Sequence, residues 1–346
     1  MSILSGLSSN FFGLDIGTTA IRLVQLTGTG PTKTLVKYAY VPVDSKIVLS
    51  DSKADQQKVL QIITDLLAQA QVTTKDVAVG VPSTRVFTTV VDFDRLSGNE
   101  LGKALKYQAD SFIPTPVDQS KIDWAVIGDS PKDRTKIEIL LSSVDNEYIE
   151  KRLDMLESIG LNVIAFEPDN LALARSLTVP DATQPQMILD IGNKNTDLVI
   201  VMNGAPRLTR SIPTGTEAII RTAAQNLNVD DKQAEQFVFK FGMSKDKLEG
   251  RVYEAISGAI DLLASDIEKS IQFFQTRYST NVARVIVTGG ASSMPEFPVY
   301  VANKFGIEVE IGNAWRNISF SPDRQNELLS VSNHFGVAAG LAERNG

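Results

Sequence analysis

The chain has 346 residues, 43% hydrophobic and 22% charged, which is ordinary globular usage and enough for one large or two moderate cores. A formal net charge of −7 with no block of like charges argues against a non-specific grip on nucleic acid or anionic lipid. Cysteine is absent and His334 is the one histidine, so disulfides and thiolate chemistry are excluded, and a zinc site or a Ser-His-Asp triad would rest on a single ring.

In chain order, "FFGLDIG" and "AIRLVQL" alternate about a short Gly/Thr turn and read as a hairpin, with "TLVKYAYVPV" as a third strand. The intervening "GTGPTKT" is a hairpin turn and not a phosphate loop, because Thr32 stands where that motif demands glycine and no helix follows. "KADQQKVLQIITDLLAQAQ" puts Val59, Ile62, Ile63, Leu66, Leu67 and Ala70 on one helical stripe, and "DVAVGVP" returns as a strand. Three strands, a helix and a strand predict an α/β layer with a mixed sheet.

From residue 83 the rhythm changes. "STRVFTTVVDF" is strand-like, "SGNELGKALKYQADSFI" opens with a capping box of Ser97 and Glu100, and "SKIDWAVIG" and "TKIEILLSSV" are strands. "NEYIEKRLDMLESIG" is a helix ended by Gly160, and "LNVIAFEP" a strand. This βαββαβ order predicts an inserted subdomain over 83–165. The first lobe is then 1–82 plus 166–184, and 185–346 form the second lobe, with outlying helices at about 228–265.

The second half restarts the scheme. "QMILDIGNKNTDLVIVMNG" is a hairpin, "APRLTRSIP" a third strand and "GTEAIIRTAAQNL" a helix; further helices at about 230–241 and 251–278 lead to the strand "VARVIVTGG". A helix near 295–305, the strand "IEVEI" and one terminal helix, "LLSVSNHFGVAAGLAE", complete the chain. The small residues of "GVAAGLA" predict close packing near a hinge between the lobes. No apolar run reaches the ~20 residues of a membrane span, and "MSILSGLSSNFF" lacks a basic flank, so a soluble, cytoplasmic protein is expected.

The repeated "LDIG" carries the chemistry. Each copy is an apolar strand, an aspartate, one residue, a glycine, a polar turn and another apolar strand. Gly17 and Gly192 remove the Cβ that would bar a ligand from the turn, so successive N–H groups can face an anion. Thr18 and Thr19 in the first copy, and Asn193 and Thr196 in the second, add donors. A carboxylate beside phosphate requires a cation between them, so Asp15 and Asp190 are expected to flank a Mg²⁺ through its waters, with Asp197 further out. In "VIVTGGASSMPEF", Gly289 and Gly290 follow a strand directly and would let a nucleoside lie on the backbone, with Ser292 and Ser293 as caps. No residue is assigned a catalytic role.

"DIGTTAIRLVQL", "LDIGNKNTDLVIV" and "VTGGASSMPEF" resemble the phosphate-1, phosphate-2 and adenosine motifs of the actin-like ATPase superfamily, which implies an α/β, ribonuclease H-like duplicated two-lobe fold holding ATP–Mg²⁺. An insert after "VAVGVP", not before the first helix, resembles the FtsA-like branch. "NELGKALKYQADSFIPTPVDQSKIDW", "LDMLESIGLNVIAFEPDNLALARSL" and "AEQFVFKFG" resemble the PilM family of type IV pilus assembly proteins. That resemblance implies a cytoplasmic ATP-binding scaffold, with slow ATPase activity at most. It would capture the cytoplasmic N-terminal peptide of a PilN-type inner-membrane protein between the first lobe and the insert. It also implies nucleotide contacts at Gly215, Glu235, Lys240 and Ser293. Val86, Phe87, Leu101, Leu105 and Ile113 are candidates for the peptide groove or for plain subdomain core. An FtsA-like filament former, and a sugar kinase or phosphatase of the same superfamily, are the alternatives.

Overall fold

The computed structural model describes residues 10–28, 30, 32–179 and 182–344. β1 (Phe12–Ile16), β2 (Ala20–Thr27) and β3 (Lys33–Pro42) form the expected antiparallel meander. A short helix α1 (Ser45–Val48) and α2 (Lys53–Gln69) lead to β4 (Asp76–Val81), which pairs parallel to β1. Ser52 caps α2 by accepting from the Asp55 N–H, and the stripe Val59, Ile63 and Leu66 is buried on the sheet.

The insert proper is β5 (Val86–Asp94), α3 (Gly98–Gln108), β6 (Ser120–Asp129) and β7 (Lys136–Asp145), with sheet order β5-β7-β6. The Ser97–Glu100 capping box opens α3 as expected. Leu101 and Leu105 of α3 pack on Phe93, Ile137 and Ile139.

Two elements expected in the insert lie elsewhere. α4 (Asn146–Glu157) and β8 (Asn162–Pro168) belong to the first sheet's layer: β8 pairs parallel to β4, and Leu156 is buried in the same core as Ile63 and Val79. The insert is therefore βαββ. Apolar residues on both elements find their buried partners on α2 and β4, which the insert's own small core cannot supply.

α5 (Asp169–Leu177) crosses to a second sheet that repeats the first. Its members are β9 (Gln186–Ile191), β10 (Thr196–Met202) and β11 (Ala205–Ile212). α6 (Thr216–Leu227), α7 (Asp231–Phe241) and α8 (Arg251–Tyr278) precede β12 (Arg284–Gly289), α9 (Phe297–Phe305) and β13 (Glu308–Ile311). The order β11-β10-β9-β12-β13 mirrors β3-β2-β1-β4-β8.

The chain then returns to the first lobe, where β14 (Ile318–Ser319) pairs with β3. The expected single terminal helix is two, α10 (Gln325–Val331) and α11 (Gly336–Ala342), separated by a one-turn helix at Ser332–His334. Asn333 in that break donates to the Ser292 and Ser293 hydroxyls at 2.7 and 3.0 Å, which ties it to the second lobe.

α5 and α11 lie between the two sheets, where Leu173, Leu177, Val337 and Leu341 share a core with Phe11 and Ala78 from one side and Ile188 and Ile286 from the other. The close approach expected of "GVAAGLA" is present: a Cβ on Gly340 would stand 1.9 Å from the Ala172 carbonyl oxygen. The insert, although rooted in the first lobe, is also ion-paired to the second. Arg207 of β11 donates to fully buried Glu138 of β7 at 2.5 Å, and Arg277 of α8 donates to Glu138 at 2.8 Å and to Asp92 at 3.1 Å.

Candidate functional site: an acidic cavity between the lobes

Both "LDIG" strands end in the same turn. The Gly17 N–H donates to the Ala20 carbonyl at 3.1 Å, and the Gly192 N–H donates to the Asn195 carbonyl at 3.0 Å. The two turns, one from each sheet, face each other across a cavity of about 290 Å³. Asp15, Gly17, Thr18, Thr19 and Arg22 line it from the first lobe, and Asp190, Gly192, Asn193, Asn195 and Asp197 from the second. Gly289, Gly290 and Glu235 complete the set of sequence-expected residues that reach it.

Four expected residues do not line it. Thr196 is fully buried and spends its hydroxyl on the Thr214 carbonyl at 2.7 Å, so it holds the turn without facing a ligand. Ser293 accepts from Asn333 and is turned to the α10–α11 break. Lys240 is exposed with its ammonium over the Phe241 ring, while Phe239, one turn on from Glu235, takes the place on the cavity wall. Gly215 acts from behind: a Cβ there would lie 2.5 Å from the Asn193 carbonyl oxygen, so glycine is what lets α6 start directly under the turn. The first amides of α6 are already taken, because the Thr216 N–H donates to Gly192 and the Glu217 N–H to Asn193.

Sequence reasoning missed Asp169, Arg22, Thr216, Asn333 and the placement of His334 on the wall. Asp169 is the most consequential. It opens α5, lines the same cavity, and its Oδ1 is shut off from solvent with no hydrogen-bond partner among the described residues. The signal available was "EPDNLALAR", an acidic residue after proline at the head of a helix otherwise rich in small apolar residues.

Four aspartates and Glu235 therefore share one space with a single guanidinium. Burial, then Asp197 and Asp15, push Asp190 up to about 7. Burial raises Asp15, partly offset by Arg22, which donates to it at 3.3 Å. Burial and the charges of Asp15, Asp197 and Asp190 lift Asp169 well above the usual carboxylate range. Asp197 is also raised, by burial. His334 is lowered by burial and by Arg22.

These features suit a hydrated divalent cation and a polyphosphate. The orphaned Asp169 oxygen is an acceptor waiting for a donor, and crowded carboxylates are relieved by positive charge. Gly289 has φ +75°, and a Cβ there would come 2.4 Å from Asp190 Oδ1, so only glycine lets the strand end pass beside that carboxylate. Among the described residues no three acidic or imidazole groups converge to ligate an ion directly.

A second concavity, about 350 Å³, runs between insert and first lobe. Val86, Trp124, Ala125, Leu140, Phe166 and Leu171 give it an apolar lining, with Lys121 and Arg344 as its cations. Of the sequence candidates only Val86 lies here. Leu101, Leu105 and Ile113 are buried at 3%, 3% and 7% exposure as insert core, and Phe87 is exposed outside the groove's lining.

Two sheets of repeated topology, closing on one cavity around a pair of crossing helices, define an actin-like two-lobe protein. The family model described as "Type IV pilus assembly protein PilM" matches residues 13–345, and the chain belongs to that family. Among solved structures it is similar to a PilM-PilN type IV pilus biogenesis complex, with TM-score 0.80, 22% identity, and 96% of this chain and 97% of that chain covered. It is also similar to the ethanolamine utilization protein EutJ from Carboxydothermus hydrogenoformans, with TM-score 0.60, 16% identity, and coverage of 98% and 91%. MreB5 of Spiroplasma citri bound to ADP gives TM-score 0.52, 14% identity, and coverage of 96% and 95%.

Proposed function

We propose that the chain is an ATP-binding scaffold of type IV pilus assembly that takes up ATP–Mg²⁺ between its lobes and a partner peptide beside its insert. The observation that carries the nucleotide reading is the meeting of the two glycine turns and their aspartates at one cavity. Asp15 and Asp190 would hold the cation through its waters. Gly17, Thr18, Thr19, Gly192 and Asn193 would take the phosphates, with Gly289, Gly290, Glu235 and Phe239 beside the nucleoside. The cation, when bound, supplies the positive charge that lets these carboxylates stay ionised next to phosphate.

Nucleotide here serves as a clamp. A ligand that touches both lobes favours their closed arrangement by RT ln(1 + [L]/Kd), about 2.7 kcal/mol at a hundredfold excess, without turnover. Asp169 is the residue that could orient a water, so slow hydrolysis fits the same site.

The peptide reading rests on the apolar groove and on the PilM-PilN complex among the similar structures. The partner is the N-terminal cytoplasmic peptide of a PilN-type inner-membrane protein, which would hold the chain at the inner face of the membrane. Among the described residues no helix is long and apolar enough to cross a membrane, so attachment through a partner suits the chain. Calorimetry with such a peptide tests this. Trp124→Ala is expected to weaken binding at least tenfold, and wild-type affinity in that variant would remove the groove from the reading. For the nucleotide, Asp15→Ala and Asp190→Ala are each expected to weaken ATP–Mg²⁺ binding, and full affinity in both would end the assignment.

A further inference from the structure

Beside the interlobe cavity lies another of about 240 Å³ that neither reading uses. Val48, Val59 and Met155 give it an apolar floor. One wall is α4, whose Tyr148, Lys151, Arg152 and Met155 fall at i, i+3, i+4 and i+7 and so share a face. Another side is the one-turn helix Ser83–Arg85, which leads from β4 into the insert.

Arg85 and Arg152 both lie over the Tyr148 ring, with guanidinium carbons 5.4 and 5.6 Å from its centroid. Among the described residues neither guanidinium has a carboxylate within ion-pair distance, whereas Lys151 is paired with Glu147 and Lys194, at the cavity's edge, with Glu217. Two like charges gathered on one ring repel, and an anion between them relieves that. Paired planar forks of N–H donors match a phosphate, which offers several acceptor oxygens and nearly two negative charges. The one acidic lining residue, Asp51, is solvent-exposed.

We propose that this cavity binds the phosphate group of a small organic ligand, held by Arg85 and Arg152, with the ligand's apolar body on Val48, Val59 and Met155. Ile16, Thr18, Pro82 and Asn195 line both this cavity and the interlobe one, so the ligand would sit next to the end of the nucleotide's phosphate chain. The assignment stands on the arginine pair and goes beyond the nucleotide and peptide readings.

The test is calorimetry on the full chain with phenyl phosphate, inorganic phosphate and benzoate as probes, with and without a saturating non-hydrolysable ATP analogue and Mg²⁺. Phenyl phosphate is expected to bind in both conditions and more tightly than either other probe. Arg85→Ala and Arg152→Ala should each weaken it about tenfold or more while the analogue's own affinity stays unchanged, and Arg85→Lys should fall between. Loss of analogue binding with phenyl phosphate binding retained would overturn the nucleotide reading alone. Phenyl phosphate binding that survives the double alanine variant, is fully displaced by the analogue, or is matched by benzoate would overturn this one.

Discussion

Asp190 and Asp197 stand directly opposite each other across β9 and β10, at the register where Asp15 stands opposite Arg22 across β1 and β2. The duplicated motif is thus neutralised in one lobe and doubly acidic in the other. After burial, the facing Asp197 is what pushes Asp190 up to about 7, whereas Arg22 offsets part of the rise at Asp15.

A pH dependence follows. Between the ordinary value of 3.8 and about 7 the folded state holds a proton on Asp190 that the unfolded chain has released. Stability of the nucleotide-free protein should therefore fall as pH rises through that window and level off above it. Mg²⁺–ATP binding at pH 6.5 should release a proton and tighten as pH rises towards 8. Calorimetry in buffers of different ionisation enthalpy measures the release, which should shrink in Asp197→Asn.

Asp169→Asn is expected to stabilise the nucleotide-free protein by about 1 kcal/mol, since it removes one of the crowded carboxyl groups and leaves a side chain that is neutral at every pH. The same change should lower any ATPase rate more than it lowers affinity. Thermal melts with and without ATP–Mg²⁺, and phosphate release, are the measurements.

Arg207→Met removes one of the two guanidinium partners of a wholly buried carboxylate and should cost about 2 kcal/mol in urea unfolding. Glu138→Gln combined with Arg207→Met should recover part of that loss, because the side chain facing the gap is then neutral while Arg277 keeps its pairing with Asp92.

Gly340→Ala is expected to destabilise by about 2 kcal/mol or more, because the new Cβ would meet the Ala172 backbone, which cannot rotate aside. Small-angle scattering with and without nucleotide should show closure altered relative to wild type.

The cavity between the lobes was largely legible because its parts are local. A strand, an aspartate and a glycine turn form within a few residues, and finding them twice exposes the duplication. Asp169 was not legible, since it reaches Asp15 only through the parallel pairing of β4 with β8, partners more than 80 residues apart in the chain. The same pairing took β8 and α4 out of the insert. Leu105 and Trp124 show the limit in the groove. Both suit an apolar surface by residue type, and only the packing of α3 on β5 and β7 decides that the first is core and the second lines a surface.

The ends of β4 and β8 lie side by side, Val81 against Pro168. Val81 and Pro168 belong to the groove beside the insert, and the residue that follows each strand, Pro82 and Asp169, to the cavity between the lobes. The partition separating the two chambers is a single peptide unit thick on both strands, and proline stiffens each. A shift of Asp169 on one side would bear directly on Pro168 in the wall of the other, one peptide bond away.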